Sequence, residues 1–111
     1  MPIKINFYKE FKLEIIKFKD KIDFSEPFIP RILRVKPNYK VPLICMNPEQ
    51  EIPPHPSGTG IFYIVKGKAI MTIEGKSLEV EEGDMIFVDK GETRGIRAVE
   101  TLIAFAVHID S

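Results

Sequence analysis

His55 and Arg94 are the side chains of this sequence best equipped for chemistry. A neutral imidazole is a good ligand for divalent transition metals and changes charge near physiological pH. Pro53, Pro54 and Pro56 stiffen the approach to His55, which fits a residue that must be aimed. Arg94 carries a planar, permanently charged fork that matches carboxylate or phosphate. Pointing inward beside His55 and Ser57, it suits a small anion; leaning outward, it pairs with Glu92, Asp89 or Glu51 and contributes little. Arg97 takes the opposite side of the strand from Arg94, so surface pairing is its expected role. His108, the other histidine, is expected to be structural or exposed. Cys45 is the sole cysteine, which excludes an internal disulfide and a Cys-based zinc site; its apolar surroundings predict an inert buried thiol. Nucleophilic catalysis has no support, because neither a Gly-x-Ser-x-Gly elbow nor a Cys–His pair can be drawn. Gly58-Thr59-Gly60 lacks the lysine and helix of a phosphate loop.

These residues belong to short runs rich in Ile, Val and Phe that glycine punctuates. Such runs predict an all-β chain, an antiparallel sandwich or barrel. Two hairpins of similar plan are expected: Ile61–Val65 returning as Ala69–Ile73 through Lys66-Gly67-Lys68, and Met85–Val88 returning as Arg94–Val99 through Asp89-Lys90-Gly91. A further turn is expected at Glu74-Gly75-Lys76. Arg31–Val35 and Lys40–Met46 form a third hairpin through Lys36-Pro37-Asn38, and Pro42 should lie at a strand start or on an edge. Thr101–Ile109 is mostly apolar and can pair inside a sheet. Alternation predicts N-terminal strands over Lys4–Tyr8 and from Phe11 with a bulge at Ile15-Ile16, although Phe11, Ile15, Phe18 and Ile22 also fit a helical period. Asp23–Pro30 is a loop. Parity places Phe62, Ile64 and Gly60 on one face, Ala69, Met71 and Ile73 on another, and Ile96 and Ala98 with Arg94. If those faces are interior, Phe62 and Met71 line either a ligand cavity or a packed core.

The stretch from Glu49 to Ala98 resembles the two motifs of the cupin superfamily, small antiparallel jelly-roll barrels that usually hold a metal ion or a small ligand in their mouth. The first motif runs Gly, five residues, His-x-His, three or four residues, Glu, six residues, Gly, and its register falls on Glu49, His55, Ser57, Gly60 and Gly67. The second runs Gly, five residues, Pro-x-Gly, two residues, His, three residues, Asn, and falls on Gly83, Asp89, Gly91, Arg94 and Ala98. The resemblance implies a single cupin-type antiparallel β-barrel whose turn glycines are kept. Three of the four usual metal ligands are replaced, by Ser57, Gly60 and Arg94, and the ligand loop is one residue short. His55 alone remains as a weak metal candidate. One histidine beside a permanent cation does not hold a catalytic ion, so no metal cofactor is expected.

Composition narrows the partners. At 111 residues the chain is read as one domain, with strands and a loop over residues 1–30 and the barrel over 31–109. Sixteen basic and sixteen acidic residues are interspersed, which argues against nucleic acid or an anionic membrane. No stretch approaches the ~20 apolar residues of a membrane span, and the N-terminus alternates where a signal peptide would be continuously apolar, so a cytoplasmic protein is expected. Abundant Lys, Glu and Ile beside one Gln and three Asn lean towards a heat-adapted source. Ile3, Ile5, Phe7, Phe11, Leu13 and Ile15 are a surplus of apolar residues that a homodimer, the common pairing of single-barrel cupins, would cover.

Three functional readings follow. The first is a metal-free small-molecule-binding protein, an anion-binding sensor or carrier, with His55, Ser57, Arg94, Phe62 and Met71 meeting the ligand. The second is a metal-dependent isomerase, lyase or dioxygenase using His55 and further ligands. The third is a structural homodimer with a filled barrel.

Overall fold

The computed structural model describes residues 13 to 110. Among these described residues nine strands follow in order: β1 (Arg31–Lys36), β2 (Tyr39–Met46), β3 (Glu51–Pro56), β4 (Thr59–Lys66), β5 (Lys68–Ile73), β6 (Lys76–Glu81), β7 (Met85–Val88), β8 (Thr93–Ala98) and β9 (Leu102–Ile109). They form two antiparallel sheets, β1-β2-β9-β4-β7 and β3-β8-β5-β6. The all-β cupin-type architecture is therefore built from two sheets facing each other rather than from one closed cylinder.

The topology corrects two of the expected hairpins. β4 pairs with β7 and β9, whereas β5 pairs with β6 and β8, so the chain changes sheet at Gly67. β7 and β8 likewise lie in different sheets. The same turn chemistry serves a corner and a hairpin, and only long-range pairing decides between them. True hairpins join β1 to β2 around Pro37-Asn38 and β5 to β6 around Glu74-Gly75. In the latter both turn residues have positive φ, 49° and 78°, as a two-residue loop of the twist-matched kind requires.

Prolines also behave differently from expectation. β3 holds Pro53, Pro54 and Pro56 within a strand, where the sequence predicts only an approach to His55. It is an edge strand, so a missing N–H costs no ladder bond on the open side. Between Ile52 and His55 its register against β8 slips by one, and there Gly95 faces it. A Cβ on Gly95 would lie 2.7 Å from the Pro54 nitrogen, so this close approach needs glycine. Pro42 lies inside β2, a central strand, not at its start or on an edge; its β9 ladder pairs Lys40 with His108 and resumes at Leu43 with Phe105.

The interior holds Ile44, Met46, Phe62, Ile64, Met71, Ile96 and Leu102, drawn from both sheets. The inward faces are those that parity predicts. The five-stranded sheet is also apolar outside, where Leu43, Cys45 and Ile103 are buried under Phe18, Ile22 and Phe24. Phe18–Lys21 is a single helical turn and Leu13–Lys17 has no regular structure, so neither a bulged strand nor a full helix forms there. Phe18 and Ile22 nevertheless use their helical spacing to reach the sheet. The chain itself supplies part of the cover expected from a second copy, leaving Leu13 and Ile15 exposed. The strand expected over Lys4–Tyr8, with Ile3, Ile5, Phe7 and Phe11, lies outside the described residues.

Candidate functional site

A cavity of about 320 Å³ opens between the sheets, and its walls are set by strand register. On β8, Arg94 pairs across with His55 of β3 on one side and Ile73 of β5 on the other. Two residues on, Ile96 faces inward between Ile52 and Met71. A charged rung therefore sits beside an apolar one. From the opposite sheet come Ile44 and Phe62, with Lys40 and His108 facing each other across β2 and β9. Phe28, from the loop before β1, completes the apolar lining, and Glu51 stands at the edge.

Arg94 is only 3% exposed, so the outward-leaning alternative does not hold. Its Nε donates to the Glu92 carbonyl at 2.8 Å, and one terminal nitrogen donates to the carbonyls of Asp89 at 3.1 Å and Ser57 at 3.5 Å. Backbone oxygens, not carboxylates, thus orient the guanidinium. The Glu92 carboxylate is engaged elsewhere, accepting from the Asp89 N–H at 2.8 Å. The remaining nitrogen, Nη1, is buried without a hydrogen-bond partner. Burial lowers the Arg94 pKa and Glu92 opposes the shift; an arginine remains a cation at any physiological pH. Gly60 makes room for it, because a Cβ there would lie 3.1 Å from Nη1 and 3.2 Å from the Phe62 ring. Arg97, on the other side of β8, pairs with Glu49 at 3.2 Å at the surface, as alternation predicts.

His55 is exposed at the mouth, and its Nδ1 lies 2.9 Å from the Pro53 carbonyl. A carbonyl only accepts, so Nδ1 carries the proton and Nε2 is left free. Ser57 does not line the cavity; it borders a neighbouring recess and contributes its carbonyl to Arg94. Phe62 and Met71 do line it, and both are buried.

No sequence motif marks His108 or Lys40 as a site residue. Parity carries the signal: Leu102, Ala104 and Ala106 of β9 are buried, and His108 continues their face, as Lys40 continues the face of Ile44 and Met46. The His108 ring meets Phe62 edge-on at 5.9 Å, and its Nδ1 is buried without a partner. Burial lowers the His108 pKa below 6.5, Lys40, Arg94 and His55 lower it further, and Asp110 opposes them.

Two imidazoles and two cations make a poor seat for a divalent ion. Among the described residues no three His, Cys, Asp or Glu side chains are grouped as ligands. The guanidinium paired across from His55 would repel such an ion in a poorly solvated space. The residues present do not fit the metal that the fold family implies.

This geometry agrees with what the chain is similar to. The model of the family described as "Cupin domain" matches residues 42–109, more than half of the sequence, and the chain belongs to that family. Among solved structures, a conserved protein of unknown function from Streptococcus pyogenes superposes with a TM-score of 0.78 at 22% identity, covering 88% of each chain. An RmlC-like cupin protein from Desulfovibrio desulfuricans superposes with a TM-score of 0.79 at 16% identity, covering 87% of this chain and 96% of that one. An uncharacterized conserved protein with a double-stranded β-helix domain from Klebsiella pneumoniae gives 0.79 at 20% identity, over 88% and 90%. At these identities the likeness concerns the fold alone. No curated protein matches the chain. No helix among the described residues is long and apolar enough to cross a membrane.

Proposed function

We propose that this cupin binds a small organic anion in the cavity between its sheets, without a metal ion, and serves as a cytoplasmic carrier or sensor. The observation that carries the reading is the buried Arg94 Nη1, a charged donor with no partner at the wall of a cavity. A buried donor left unmade costs about 1–3 kcal/mol, more when charged, so the free protein has an incentive to bind an acceptor there. Lys40 adds positive potential at the mouth and draws anions towards it. A cavity of this size also argues against a completely filled barrel.

Thermal unfolding in the presence of carboxylates tests the proposal. A ligand at a hundredfold its Kd adds about 2.7 kcal/mol of stability. Arg94→Met is expected to abolish the carboxylate-dependent rise in Tm, whatever it does to the Tm of the free protein. An equal rise in the variant would refute the reading.

A further inference from the structure

The occupant can be defined more closely, an inference that rests on the anion reading above. Three features of the cavity bear on it independently.

The first is the number of free donors on Arg94. Nε and one terminal nitrogen are committed to backbone carbonyls, so Nη1 alone is left without a partner. A fork made by two nitrogens is therefore not on offer, and the two N–H groups of Nη1 are what a single headgroup can satisfy. The second is charge. Arg94 and Lys40 stand against Glu51 around the cavity, so its lysine, arginine and glutamate side chains leave one net positive charge for a ligand to neutralise. The third is what surrounds the charged rung. Ile96 and Met71 form the next rung, two residues along their strands, and Ile44, Phe62 and Phe28 face them. The Phe62 ring reaches the charged rung itself, since a Cβ on Gly60 would lie 3.1 Å from Nη1 and 3.2 Å from that ring, so the apolar lining begins beside the guanidinium. A volume of about 320 Å³ equals that of about ten liquid waters, at ~30 Å³ each.

We infer that the cavity takes an apolar monocarboxylate of about ten non-hydrogen atoms: one carboxylate at Arg94 Nη1, and a compact aryl or branched alkyl body on the floor between Met71, Ile96 and Phe62. A second charge on the ligand would lie against apolar side chains, where its desolvation is not repaid. This makes the site a filter for hydrophobic acids over small or multiply charged anions.

Calorimetric titration of the full chain at fixed ionic strength tests this with five probes: hydrocinnamate, hydrocinnamyl alcohol, acetate, glutarate and inorganic phosphate. Hydrocinnamate is expected to bind at least tenfold more tightly than each of the other four. Arg94→Met should remove most of that affinity. Should that variant fail to fold, Phe28→Ala, on a loop outside every strand, serves instead; it should weaken hydrocinnamate several-fold and leave acetate unchanged. Glutarate or phosphate binding as tightly as hydrocinnamate would overturn the apolar monocarboxylate and leave the anion site standing. Hydrocinnamyl alcohol binding as tightly as hydrocinnamate would overturn both, because charge would then play no part. Absence of binding by every probe would likewise overturn both.

Discussion

Glu49 has φ at 75°, in the left-handed region, where the cupin pattern has glycine. The backbone has kept the turn while the residue type has changed, and a side chain in that region costs about 1–2 kcal/mol. Glycine gives back part of the gain through its greater freedom when unfolded. The Arg97–Glu49 ion pair, which the substitution removes, is exposed and contributes little. Glu49→Gly is therefore expected to stabilise the fold by roughly 0.5–1 kcal/mol in chemical denaturation; a lower midpoint would contradict the account. His108 gives a second residue-scale expectation. It faces Lys40 on β2, Gly60 on β4, Arg94 and His55 from the other sheet, and Asp110 beyond its own strand. Its pKa is lowered on folding, so the unfolded chain takes up the proton first as pH falls below 6.5. Its contribution to stability is complete above 6.5 and is lost as pH falls through the lower folded value. Between pH 7 and about 5.5 the wild type should lose more Tm than His108→Gln. Identical acid sensitivity in the two proteins would show that His108 does not titrate in this way.

Among the elements, β3 is the hardest to read in the sequence and the most informative in the structure. Its prolines signal a break in the ladder, and nothing local announces that Gly95, forty residues away, gives them space. A methyl at Gly95 would meet Pro54 backbone at 2.7 Å and the Ile52 carbonyl at 2.9 Å, atoms that cannot swing aside. Gly95→Ala should cost about 1–3 kcal/mol, the usual range for overpacking, and should weaken carboxylate binding by displacing His55. Unchanged stability would mean that β3 moves freely. Strands β4, β5, β7 and β9 are legible because period-two alternation survives any tertiary arrangement. β6 is not, since Lys76, Ser77, Glu79 and Glu81 leave only Leu78 and Val80 as apolar signal. Sheet membership is not legible either: a corner and a hairpin use the same turn residues. At the site, the motif register brings His55 and Arg94 to facing positions, but only the interior packing decides which way Arg94 points.

Over the whole molecule, the five-stranded sheet is buried on both sides only around Leu43, Cys45 and Ile103, and the outer layer there is thin. Phe18 meets Phe105 edge-on at 5.9 Å and closes over Cys45, whose pKa burial raises, with the Asp23 backbone and Arg31 opposing. Phe18→Ala should cost about 2 kcal/mol for a half-buried ring and make Cys45 react with a thiol reagent in the native protein. The wild-type thiol should react only when the chain unfolds. A native wild-type thiol as reactive as that of the variant would show that Phe18 does not guard it. Four residues beyond Phe24, the same segment delivers Phe28 to the cavity mouth and to the inner cluster. Outer cover and cavity lining are thus stretches of one short segment, tied together by a few peptide bonds. Loosening Phe24 from the outer face is therefore expected to reach Phe28 at the cavity.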